Sequence, residues 1–167
     1  MKWFKKLAAA VLVAALALMM VGCGGSKTGL AQQIKNAVSD LVALYVGEQV
    51  TDSKDLDALA AKLLTEYDNA IAESEEGEQP DLEELLKDEK FLQKVGIDPK
   101  KDAYWVSLEP VPSYLSNTLN MQKPFELAEK LLSEDYVIGA PEGGSKIELG
   151  LAIGTLDGED YVLMLGK

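Results

Sequence analysis

The chain has no histidine, no arginine and one cysteine, and its aromatic residues are few: three Phe, six Tyr and two Trp among 167 residues. Each shortage excludes some chemistry. Without histidine, a Ser-His-Asp or Cys-His nucleophile has no base, and a zinc site loses one of its two usual ligand types. A single cysteine forbids an intramolecular disulfide, so the fold must stand on its hydrophobic core. Positive charge is scarce as well: 16 basic residues, all lysine, face 28 acidic ones, for a net charge of −12. Phosphate backbones are gripped by clusters of Lys and Arg, so nucleic acid is not an expected partner. No phosphate-binding loop is present either, because Gly143-Gly144-Ser145 has neither the P-loop spacing nor its closing lysine.

What the sequence does have begins at its start. Lys2, Lys5 and Lys6 flank the opening aromatic pair Trp3-Phe4, and an apolar run from Leu7 to Val21 follows, ending at Gly22-Cys23-Gly24-Gly25-Ser26. A basic start, a short apolar middle and a small residue before a cut are the parts of an export signal. The apolar run falls short of the ~20 residues that a spanning helix needs. The stretch Met20-Val21-Gly22-Cys23 resembles the bacterial lipobox, with methionine where leucine is usual. That resemblance implies cleavage before Cys23 and a diacylglycerol/N-acyl (palmitate-type) lipid on it, with no other cofactor. The expected division is a signal peptide over 1–22, a lipidated cysteine and flexible tether over 23–29, and one globular domain over 30–167. The product would be exported and lipid-anchored on the extracytoplasmic face of a bacterial membrane. With Lys2, Lys5 and Lys6 removed, 13 basic residues remain against 28 acidic ones, a net charge of −15. Such a body is repelled by an anionic lipid surface even while the lipid holds it near, although solubility alone is the favoured explanation of the acidity.

Apolar spacing predicts the elements. Leu30, Ile34, Ala37, Leu41 and Leu44 recur at helical intervals up to Gly47. Asp52 and Ser53 can cap a second helix whose stripe is Leu56, Leu59, Leu63, Tyr67 and Ile71. The charged stretch from Glu73 to Pro80 reads as an exposed loop. A third helix is expected from Asp81 to Gly96, closed by Asp98-Pro99. A strand covers Ala103 to Leu108 before Pro110 and Pro112, and Pro124 opens a short helix. A short extended piece follows at Tyr136–Ile138. Residues 146–154 and 161–165 alternate around Asp157-Gly158, a hairpin turn pair. Pairing across that turn puts Leu149, Leu151, Ile153, Val162 and Met164 on one face. The other face carries Gly150, Ala152 and Gly154 opposite Tyr161, Leu163 and Leu165. Neither face is polar, so helices must cover both. The predicted fold is α+β: a three-layer α/β/α sandwich around a small, mainly antiparallel sheet, with helices in the N-terminal half and a C-terminal β-hairpin.

This element order resembles the CAP superfamily of cysteine-rich secretory proteins and exported bacterial domains. Leu149-Gly150-Leu151-Ala152-Ile153 looks like that family's Gly-rich strand, and Asp160 to Gly166 like its closing aromatic-apolar strand. The resemblance implies that Glu109 matches the family's strand glutamate and that Tyr136 falls near the place of its second histidine. The family's metal tetrad is not implied, since both histidines are missing and Pro110 replaces the asparagine after the glutamate.

Acidic pairs such as Glu83-Glu84, or the set Asp157, Glu159 and Asp160, are the remaining candidates for glycosidase or calcium chemistry. A solvated helix face and a hairpin turn are the favoured readings, because an acidic chain produces such pairs by chance and no Asp-x-Asp-x-Asp-Gly loop occurs. Trp105, Tyr114 and Tyr136, together with Glu109, form the candidate binding cleft; ordinary packing is the competing reading for the aromatics. The expected function is a non-catalytic envelope lipoprotein that binds a protein, peptide or glycan. The alternative is a carboxylate-dependent hydrolase on a CAP-like fold using Glu109.

Overall fold

The computed structural model describes residues 27–74, 79–112, 123–133, 136–139 and 146–167. Helix α1 (Lys27–Val46) buries Ile34, Ala37, Val38, Leu41 and Val42. It starts at Lys27, so the last three residues expected in the tether are helical, and Leu30 and Ala31 of this turn pack on the core. The other departure is Leu44, which stays 60% exposed. Val38 and Val42 take the core arc at 3.6 residues per turn, and Tyr45 rather than Leu44 continues it.

After Gly47, whose φ of 74° turns the chain, Gln49–Asp52 forms β1. Nothing in its composition announces a strand, since Val50 is its one apolar residue. Ser53 then caps α2 (Lys54–Glu73) by accepting a hydrogen bond from the Leu56 amide at 3.4 Å. The predicted stripe holds: Leu56, Leu63 and Tyr67 are buried and Leu59 and Ile71 pack beside them. The single helix expected over 81–96 is instead two, α3 (Leu82–Leu85) and α4 (Glu89–Val95). The break falls at Asp88, whose carboxylate accepts from the Lys90 amide at 2.9 Å and starts a new helix instead of extending the old one. Gly96 ends α4 in the left-handed region, as expected of a helix-closing glycine. Of the charged loop, residues 75–78 lie outside the described residues.

The second half supplies β2 (Tyr104–Pro110), α5 (Lys123–Ser133), β3 (Tyr136–Ile138), β4 (Lys146–Leu156) and β5 (Glu159–Gly166). The five strands form one sheet in the order β1-β4-β5-β2-β3. Every pairing is antiparallel except β1 with β4, which is parallel, so the sheet is mixed. The β4–β5 register matches Leu151 with Met164 and Ala152 with Leu163, as the alternation requires. Asp157 and Gly158 both have positive φ, 46° and 83°, which is the geometry of a type I′ hairpin turn. A Cβ at Gly158 meets nothing within 4 Å, so any penalty there is backbone strain alone. Gly158→Val is therefore expected to cost roughly 1–2 kcal/mol, read as a lowered midpoint in thermal unfolding, whereas Asp157→Gly should leave the midpoint unchanged or raised.

Helices cover both sheet faces. On one side α2, α3 and α4 pack on Val106, Ile138, Leu156, Leu163 and Leu165. On the other, α1 and α5 pack on Leu149, Leu151, Val162 and Met164. This is the three-layer α/β/α arrangement that two apolar sheet faces demand.

Candidate functional site

Alternation along β2 decides where its side chains go. Tyr104, Val106 and Leu108 belong to the α2 side. Trp105, Ser107 and Glu109 are on the α1–α5 side, where Ser107 is fully buried and donates its hydroxyl to the Leu131 carbonyl of α5 at 2.6 Å. Trp105 sits opposite Gly166 across the β2–β5 pair, and a Cβ on that glycine would come 2.6 Å from the indole Cε3. The indole therefore fills the space that the glycine leaves. Its N–H is buried with no hydrogen-bond partner among the described residues. Its neighbour across the β2–β3 pair is Val137, which is exposed.

Tyr136 is the partner of Val106, not of Trp105. It stands on the α2 side, packed with Tyr104 and Tyr161 against the core that holds Tyr67. Glu109, opposite Val162, is half-buried on the other face of the sheet. The cleft expected from Glu109, Trp105 and Tyr136 is thus divided by the sheet itself. The physical reason is the odd spacing: Glu109 lies three residues along β2 from Val106, so the period of two sends the two side chains to opposite faces. Tyr114 and Cys23 lie outside the described residues.

Of the acidic candidates, Glu83 and Asp160 have local partners. Glu83 pairs with Lys87 at 2.6 Å across one helical turn, on an exposed face. Asp160 accepts from the Thr155 hydroxyl at 2.8 Å across the hairpin, and Asp157 occupies the turn. Asp98 receives the Lys101 ammonium at 2.8 Å and the Lys100 amide at 3.1 Å; these bonds hold its carboxyl below the usual range. Among the described residues no group of three or more His, Cys, Asp and Glu side chains is placed to hold a metal ion.

One buried ion pair has no counterpart among the residues that the sequence singles out. Lys35 is only 5% exposed, on the edge of the apolar face of α1, and its ammonium lies 2.6 and 2.8 Å from the two Asp57 oxygens. One of those oxygens also accepts the Leu151 amide of β4 at 2.8 Å. Leu151 stands just beyond Leu149, where β1 stops pairing with β4, so Asp57 continues the strand's hydrogen bonding with a side chain. Backbone contact is equally close: Ser53 donates to the Leu149 carbonyl at 2.9 Å, and Gly150 lies directly under Leu56. The junction ties α1, α2 and β4 together.

The chain matches no family model, no curated protein and no solved structure. Its chemistry must then be read from its own side chains. The tyrosine group on the α2 side has one measurable consequence. The Tyr67 hydroxyl donates to the Pro80 carbonyl at 3.0 Å and accepts from the Gln79 amide at 3.5 Å. Burial pushes its pKa above 10.0; the Gln79 bond opposes the shift, and Tyr161, Asp81 and Tyr136 add to it. Burial raises Tyr104 in the same way, with Asp102 contributing. The folded state thus keeps these protons to higher pH than the unfolded chain does. The stability they confer is complete below 10.0 and is lost as pH climbs from there toward the raised values. Urea midpoints should fall above that pH, and Tyr67→Phe should flatten the fall. An identical slope in the variant would refute the assignment to Tyr67.

Proposed function

We propose that this chain is an exported bacterial lipoprotein whose acidic α/β/α domain is held by a lipid on Cys23 at the outer side of a membrane. There it serves as a non-catalytic domain that binds an envelope protein, peptide or glycan. The observation that carries the reading is the placement of the lone cysteine: it follows Met20-Val21-Gly22 at the point where the Leu7–Val21 apolar run stops. The absence of histidine from the whole sequence favours binding over nucleophilic catalysis. The alternative hydrolase reading needs Glu109 and Tyr136 in one cleft, and the two lie on opposite faces of the sheet.

Expression of the full chain in bacteria fed an alkyne fatty acid tests the anchor. The wild type is expected to take up the label and to yield a mature form beginning at Cys23 by mass spectrometry. Cys23→Ala should lose the label and keep the signal uncut. Label retained by Cys23→Ala, or a mature chain beginning elsewhere, would overturn the proposal.

A further inference from the structure

We infer that the outer face of α1 lies against the lipid headgroup layer, so that the anchored domain has one fixed orientation. The inference rests on the lipid attachment at Cys23 proposed above, and three further observations lead to it.

The first is reach. Helix α1 begins at Lys27, four residues after Cys23. Four residues span at most ~14 Å when fully extended, less than half of the ~30 Å that a 20-residue helix covers. The beginning of α1 therefore cannot leave the membrane surface, and the domain cannot tumble freely on a long leash.

The second is charge. From Gly29 onward the exposed residues of α1 are Gln32, Gln33, Asn36, Asp40, Ala43, Leu44 and Val46, with Asp40 the one charge among them. Lys35, the other charged side chain on this stretch, is buried in its pair with Asp57. Helix α2, of the same length, exposes Lys54, Asp55, Lys62, Asp68 and Glu73, and α5, in the same layer as α1, exposes Glu126 and Lys130. With Lys2, Lys5 and Lys6 removed the chain carries a net charge of −15, and a face with a single carboxylate costs little to bring to an anionic leaflet.

The third is apolar exposure. Among the described residues the exposed large hydrophobic side chains are Leu44, Val46 and Val137. Two of the three sit at the far end of α1, 60% and 42% exposed, about 30 Å along the helix from the tethered end. A lipid at one end, amides and small residues between, and Leu44 and Val46 on the two flanks of the far end match a surface that rests on headgroups along its length.

The test uses the full-length lipidated protein in phosphatidylcholine/phosphatidylglycerol vesicles carrying a collisional quencher on the headgroups. Acylation consumes the Cys23 thiol, so one engineered cysteine provides the sole labelling site. A fluorophore at Asn36→Cys reports the α1 face, and one at Lys94→Cys reports the exposed side of α4 across the sheet. Two layer spacings of ~10 Å each separate these positions. Several-fold stronger quenching at 36 than at 94 is expected, and Ala43→Glu should weaken the quenching at 36. Equal or reversed quenching in protein that floats with the vesicles would overturn the orientation alone, leaving the α1 face open to a protein partner. Failure of the wild-type protein to float would overturn the lipid attachment and the orientation together.

Discussion

Asp57→Ala should lower stability by about 3 kcal/mol, the low end of the cost of breaking a buried ion pair, because the Asp57 side chain keeps 34% of its exposure. The loss has two parts. Lys35 is left inside the protein with no counter-charge, and the Leu151 amide loses the acceptor it holds at 2.8 Å. The reverse deletion is not symmetrical. Lys35→Met removes the buried cation and keeps the aliphatic stem in place, while Asp57 retains the Leu151 amide and some water. That variant should fall within about 1 kcal/mol of the parent. Urea unfolding of both variants, followed by far-UV circular dichroism at neutral pH, measures the difference. Equal losses would show that the ion pair, rather than the unsatisfied groups left behind, carries the stability of this junction.

The second large effect is expected at Gly150→Val. A Cβ there would fall on the carbonyl carbon and Cβ of Leu56 and 2.6 Å from the Asp57 amide nitrogen. Two of these are backbone atoms of a helix start and the third is bonded directly to it, and the Ser53–Leu149 bond and Asp57 itself hold them in place. They cannot yield as the tip of a side chain can. A loss of about 3 kcal/mol, the upper part of the overpacking range, is expected. Gly154 on the same strand provides the contrast. Its added Cβ would meet Leu64 Cδ1 at 3.2 Å, the movable end of a side chain, so Gly154→Ala should cost within about 1 kcal/mol. If the two glycines tolerate substitution alike, α2 does not sit as tightly on β4 as these contacts require.

Both predictions concern residues whose importance had no signature in the amino-acid order. Gly150 reads only as one small residue in an alternating strand. Asp57 reads as a favourable charge in the first turn of a helix. Lys35 offered the one available hint, a cation between Ile34 and Ala37 on the apolar side of α1, but its partner lies 22 residues away. Trp105, Glu109 and Tyr136 show the opposite case. Their residue types suggested a common cleft, and the pairing of Tyr136 with Val106 sends Tyr136 and Glu109 to different sides of the sheet.

By itself the sequence determined whatever depends on short-range pattern. The amphipathic stripe of α2, the Ser53 and Gly96 caps, the Asp157-Gly158 turn and the inward and outward residues of the β4–β5 hairpin all follow from neighbours a few positions apart. The three-layer architecture followed too, because a hairpin apolar on both faces has to be covered on both. Only the tertiary structure decided what depends on distant partners. It made a strand of Gln49–Asp52, because β4 supplies the pairing groups nearly a hundred residues later. It placed α1 and α2 on opposite sides of the sheet, exposed Leu44, buried Lys35 against Asp57 and parted Glu109 from Tyr136. Local propensity is set by the chain's own nearest atoms; register, burial and shared faces are set by whichever surface another segment brings into contact.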